Sequence, residues 1–248
     1  MKNKILLSLL FSIFVITSSI AGTIDPKAKD ADHIEYGNQY KCVVLVRGLT
    51  KKQEKYMASA VVIKPQWILT AAHIVEESSG HYILFDSKQI KIDKIIKPDG
   101  FNMGNNAEKD IVICHLETPI HLDFYPELYG RSDEIGKIVG LSGYGNTGTF
   151  STGAVKADGI KRGGSNTIDR IEKDLLVCSV LNGPVTKMEF LIAHGDSGGG
   201  LFIEQKLAGI HSMIWSYSKI KPMATYSTYS GHTRISVYKD WILKNIKD

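Results

Sequence analysis

The chain has 248 residues, with 30 Lys and Arg against 26 Asp and Glu and a formal net charge of +4. The basic residues are scattered among carboxylates, which excludes nucleic-acid binding by bulk charge, and the length suffices for one large domain or two tightly joined halves. The three cysteines, Cys42, Cys114 and Cys178, permit at most one internal disulfide and match no zinc or iron-sulfur spacing, so no metal or cofactor is expected and stability must come mainly from the core.

At the N-terminus, MKNKILLSLLFSIFVITSSIAG places Lys2 and Lys4 before an apolar run from Ile5 to Ile16, followed by small residues. That is the pattern of a secretory signal peptide over residues 1–21, cut after Ala21. The alternative, an uncleaved anchor, wants about 20 apolar residues, and this run is shorter. Cleavage leaves residues 22–248, which carry a net charge of +2 and are expected to be secreted or periplasmic, with no attachment to a membrane.

Beyond it, short runs rich in Val, Ile, Leu and Tyr alternate with polar or glycine-bearing turns: KCVVLVRG, ASAVVI, WILTAA, HYILFD, IKIDKII, DIVICHL, KIVGLSGYG, DLLVCSV, FLIAHG and LAGIHSMIW. Many short strands at this spacing predict an all-β sandwich or barrel. Cys114, inside DIVICHL, reads as a small buried hydrophobe. The glycine-rich stretch from Ser142 to Ser165 fits either a linker or loops opening a second half, and its aromatic residues and flanking strands favour loops. Only the end looks helical, with Val237, Trp241, Ile242 and Ile246 near one face and Ser236 as the cap.

Three segments carry chemistry together: WILTAAHIV, ending at His73 and its neighbours; NNAEKDIVICHL, with Asp110; and AHGDSGGGLF, with Ser197. Singly, each has a plain explanation as a core histidine, a strand-edge carboxylate and a turn residue. Jointly they answer a chemical need. A serine hydroxyl is a weak nucleophile that requires a base, and the base requires a carboxylate to fix its tautomer. Negative charge developing on a substrate carbonyl requires preorganised amides, which Gly195 and Ser197 can offer where glycine permits a tight backbone path.

On these residues the chain resembles the chymotrypsin-fold, trypsin-like serine proteases. The resemblance covers the mature chain: SAVVIKPQWILTAAH, DIVICHLETPI, LSGYG, GDSGGG, LAGIHS and HTRISVYKDWI, in the order His, Asp, Ser that this family shares with neither subtilisins nor α/β-hydrolases. It implies an all-β protein of two antiparallel six-stranded β-barrels packed side by side, the first over about 36–135, the second over about 136–236, with a C-terminal helix at 237–247. It also implies His73, Asp110 and Ser197 as the catalytic residues, Gly195 and Ser197 as the oxyanion hole, and Ser212 as the hydroxyl that bonds the aspartate. Substrate would be an extended polypeptide added as a strand.

Departures from the family pattern bear on the rest. Ile74, Ala58 and Ala193 replace usual cysteines, as in disulfide-poor bacterial-type members, and Gly200 replaces the usual proline. Asp196 matches the aspartate that receives a new N-terminal amine; no IVGG is present, and Ile24 is the nearest apolar candidate for such an end. The base of the specificity pocket reads Leu191, where enzymes that cut after Lys or Arg carry aspartate. His211 and His232 sit where glutamate-specific members carry histidines, which favours Glu or Gln at P1, although Ile192 and Leu201 break that pattern. The alternative is a buried structural pair. A catalytically silent homologue used as a binding module is the rival function and would normally have lost one of His73, Asp110, Ser197 or Gly195; an esterase is the narrower third.

Overall fold

The computed structural model describes residues 22–76, 78–101, 108–181, 185–217 and 223–246; the predicted signal peptide lies outside them. A short strand β1 (Gly22–Ile24) and a helix α1 (Asp30–Asn38) come first. Then β2 (Val43–Thr50), β3 (Lys55–Lys64), β4 (Trp67–Thr70), β5 (Ser78–Phe85), β6 (Lys88–Ile96) and β7 (Val112–Leu116) close into an antiparallel barrel in the order β2-β3-β4-β7-β6-β5. The short helix α2 (Ala72–Glu76) follows β4.

The second half opens with β8 (Ile138–Gly143), then β9 (Thr147–Thr149), β10 (Gly153–Lys156), β11 (Arg162–Glu172), β12 (Leu175–Ser179), β13 (Phe190–Leu191), β14 (Gly200–Ile203), β15 (Lys206–Trp215) and β16 (Tyr229–Arg234). Six of these close as β11-β12-β16-β15-β14-β8, and β10-β9-β1-β13 form a separate four-stranded sheet. Helix α3 (Ile235–Asn245) ends the fold. The predicted architecture, two six-stranded barrels and a terminal helix, is the one observed.

The apolar runs of the first barrel are continuous because both faces of its strands are buried. Val44, Val62, Ile68, Val112 and Cys114 point inward. Their neighbours Val43, Val61, Leu69, Ile111 and Ile113 pack outward with Phe202, Leu207 and Ile210 of the second barrel and Ile235, Tyr238 and Ile242 of α3. Period-two alternation thus divides each strand between a barrel core and the seam between barrels.

Two sequence expectations need correction. The end is not the only helical segment: α1 was hidden because DADHIEYGN carries no apolar stripe, and of its residues only His33 and Gly37 are buried. It is held by tertiary contacts instead. Arg162, with 1% of its side chain exposed, bonds both carboxylate oxygens of Asp30 at 2.6 and 2.9 Å and Asp158 at 3.0 Å. Ser236 is not the cap of α3. Arg234 takes that position, and the Ser236 hydroxyl, within the first turn, donates to the buried Glu134 at 2.9 Å, alongside Arg234. Val237, expected on the apolar face, is exposed, and Ile235 and Tyr238 take the core side. All three cysteines are buried and free.

Candidate active site

Barrel register brings the first two predicted residues together. Strands β4 and β7 are antiparallel neighbours with Thr70 opposite Val112, so the chain leaves β4 where it enters β7. His73, three residues past Thr70, therefore meets Asp110, two residues before Val112. The His73 Nδ1 lies 2.7 Å from one Asp110 carboxylate oxygen, and the His73 backbone N–H donates to the other at 2.9 Å. With Nδ1–H donating a hydrogen bond to the carboxylate, Nε2 is left as the acceptor, which is the tautomer a general base needs.

Asp110 is fully buried, and two further hydrogen bonds fix it. The Ser212 hydroxyl donates to the same carboxylate oxygen that faces His73, at 2.6 Å. Thr233 donates to the Asp110 carbonyl at 2.9 Å. This set of hydrogen bonds holds the buried carboxylate oxygens at a defined place beside the imidazole.

Ser197 reaches the same region from the second barrel. It lies in the loop between β13 and β14, which is anchored to β3 by Ser59: the Ser59 N–H donates to the Ser197 carbonyl at 2.8 Å, and its hydroxyl donates to the Gly195 carbonyl at 3.1 Å. The Thr70 hydroxyl in turn donates to the Ser59 carbonyl at 2.7 Å. Ser59 and Thr70 thus tie the serine loop to the strand that delivers His73. The Ser197 hydroxyl itself makes no hydrogen bond to a described residue. Ser59 was missed by sequence reading; its only signal is a hydroxyl at a fully buried position inside the apolar run ASAVVI.

The loop's path depends on glycine at two positions. Gly195 has φ +93° and Gly198 φ +84°, both in the region L side chains rarely adopt. A Cβ at Gly198 would stand 2.0 Å from the Ser59 carbonyl oxygen and 2.1 Å from the Thr70 hydroxyl. The amides of Gly195 and Ser197 have no acceptor among the described residues, and both residues are partly exposed.

Asp196, between them, turns the opposite way. It is fully buried and accepts the N–H groups of Ala193 and Gly145, each at 2.8 Å. Burial outweighs those bonds and pushes its carboxyl up to about 7. Gly22, the first residue of β1, pairs with Thr147, two residues from Gly145. Ile24 is instead buried in the middle of the small sheet, with its carbonyl accepting the Phe150 N–H at 2.9 Å.

The remaining predicted residues are buried, Leu191 in β13 of the small sheet and the two histidines in the second barrel. Leu191 is buried against Phe150, Val180, Ala193 and Ala224. His211 and His232 face each other across β15 and β16, with Nδ1 atoms 2.9 Å apart and no exposed surface. His232 Nε2 contacts the Ser230 hydroxyl at 3.0 Å, whereas His211 Nε2 has no hydrogen-bond partner among the described residues. Burial lowers both imidazoles below the usual histidine range, so the pair is neutral.

A family model described as Trypsin matches residues 34–242. The chain belongs to the trypsin family. Its curated relatives include serine protease SSP1 of Scolopendra subspinipes, 24% identical over 86% of this chain and 81% of the relative. Another is trypsin eta of Drosophila melanogaster, 22% identical over 98% and 97%. Among solved structures, neuropsin, a serine protease expressed in the limbic system of mouse brain, superposes with a TM-score of 0.67 at 18% identity, covering 85% of this chain and 96% of its own. HL collagenase gives the same TM-score at 17% identity, covering 92% and 100%. This trypsin-family chain is a serine endopeptidase, and its substrate is a polypeptide.

Proposed function

We propose that His73, Asp110 and Ser197 are its catalytic triad, and the observation that carries this is the bond from His73 Nδ1 to buried Asp110, completed by Ser212. In the resulting mechanism Ser197 attacks the scissile carbonyl while His73 Nε2 takes its proton. The amides of Gly195 and Ser197 receive the oxyanion, and His73 returns the proton to the leaving amine. Water then hydrolyses the acyl-enzyme by the same steps. The silent-homologue alternative is disfavoured by the retention of every one of these groups. Labelling with a serine-directed phosphonate tests the assignment: the wild type labels and Ser197→Ala does not, with turnover falling by about 10⁴ to 10⁶. A Ser197→Ala protein of normal activity refutes it.

Substrate would lie along β15. Within β15, strand β14 pairs with Lys206–Ile210, which leaves Met213–Trp215 without a strand partner on that side among the described residues, an edge suited to an added extended strand. The pocket base supports exclusion of Lys and Arg, because Leu191 stands at the position of the family's aspartate and packs among apolar side chains. Glu or Gln at P1 rests on His211 and His232. Their neutrality favours Gln over Glu, since a neutral imidazole offers a hydrogen bond without charge assistance. Their complete burial favours a second reading, a structural pair beneath an apolar P1 pocket. Cleavage-site profiling on a peptide library separates the two, and a preference for Lys or Arg sinks both.

Export follows from the signal-like leader, and among the described residues no helix is long and apolar enough to cross a membrane. Cleavage after Ala21 frees the amine of Gly22, which the pairing of β1 carries toward Asp196 more directly than trimming to Ile24 would. N-terminal sequencing of secreted, active protein should therefore begin at Gly22; a start at Ile24 overturns this.

A further inference from the structure

A cavity of about 590 Å³ lies away from the triad, lined by the chain after α1, the β5–β6 turn, the segment linking the barrels, and the start of the β14–β15 hairpin. This volume is in the range of small-molecule sites. Its aromatic lining comes from Tyr40, Phe85, Phe124, Tyr144 and Phe202. Phe124 is more than half exposed, although it lines the cavity, so apolar surface is open to a ligand there.

Lys161 is the unusual member. Its ammonium donates to the carbonyls of Tyr40 at 2.9 Å and Val43 at 3.1 Å, and stands 5.9 Å from the Tyr144 ring centre. Among the described residues no carboxylate pairs with it. The nearby Cys42 thiol is neutral, since burial pushes it up to about 12. Two carbonyls and a ring compensate a half-buried cation incompletely, and a third donor is left over. The other ionisable groups lining the cavity, Lys41, His121, Asp86 and Asp123, are all exposed. Lys161 is therefore the lining cation most withdrawn from water, while the two aspartates disfavour a ligand with a second negative charge.

We propose that this cavity binds a small free monocarboxylate with an aryl or alkyl body, its carboxylate bonded to Lys161 Nζ and its body against Tyr40, Tyr144 and Phe124. Nothing in this depends on which residues form the triad. Burial holds the Lys161 ammonium down at about 8, so binding is present below that pH and is lost as pH rises through it.

The probe is 3-phenylpropionate, compared with the neutral 3-phenylpropionamide, titrated into the intact protein by calorimetry and by two-dimensional NMR. The acid should bind roughly tenfold or more tightly than the amide near neutral pH, as expected for a hydrogen bond to a charged group. The advantage should vanish above about pH 9.5, where the ammonium is deprotonated. Shifted resonances should include Cys42 and Tyr144. Lys161→Gln, which keeps donors for the two carbonyls, should abolish the advantage. Equal affinity for acid and amide, no binding of either, shifts confined to Leu191 and Ser212, or an undiminished preference in Lys161→Gln would each overturn the proposal. If that variant fails to fold, the amide and pH comparisons on the wild type still decide.

Discussion

At the scale of single residues, the charge on Asp110 matters less than the direction in which it makes His73 point. Asp110→Asn would keep the volume and could still accept from Ser212, but its amide would donate to Nδ1 and move the imidazole proton to Nε2. We expect turnover to fall by roughly 10⁴ with substrate affinity nearly unchanged, measured as kcat and KM on a peptide substrate. Normal turnover would reject Asp110 as the orienting carboxylate. Ser212→Ala should be milder. It removes one hydrogen bond to a carboxylate, of the order of 1.5 to 3 kcal/mol, so a loss of about ten- to a hundredfold is its ceiling.

At the scale of elements, the serine loop and α1 show two kinds of legibility. The loop was readable because its glycines and its Asp-Ser pair are local in sequence, and the structure adds why the spacing is strict: Gly198 presses on Ser59 and Thr70 of the other barrel. The helix α1 and the strands β1, β9 and β10 were not readable, since three or four residues carry no periodicity and α1 has no apolar face. What makes α1 a helix is Arg162, more than a hundred residues away in sequence. Asp30→Ala would take from the 1%-exposed guanidinium one of its carboxylate partners, while the pair with Asp158 stays. We expect a loss of about 2 to 4 kcal/mol in denaturant unfolding. A change below about 0.5 kcal/mol, the size of an ordinary surface substitution, would show that α1 is held by something else.

At the scale of the whole molecule, buried titratable groups make stability depend on pH in opposing directions. His33, His211 and His232 are each held below the ordinary histidine value by desolvation. Each binds a proton in the unfolded chain near pH 6.5 but not in the fold, so its contribution is full above that pH and is lost as pH falls. Asp196 is raised to about 7, so its contribution is present below the ordinary carboxylate range and is lost as pH rises through 7. Burial raises Glu189 as well, but between about pH 6.5 and 4 the three histidines outweigh the two carboxylates in number, and the fold should weaken toward acid. Replacing His211 and His232 together by leucine should flatten that limb. Two unfolded-state protons are worth roughly 2.7 kcal/mol per pH unit at most, read from urea unfolding at several pH values. The slope, rather than the stability at any one pH, carries the test, because leucine also changes packing and removes the contact between the two rings. An unchanged slope would mean that the pair takes up a proton in the folded barrel. In that case His211 and His232 would present a positive charge beneath the specificity pocket, and the choice at P1 would move from Gln back to Glu.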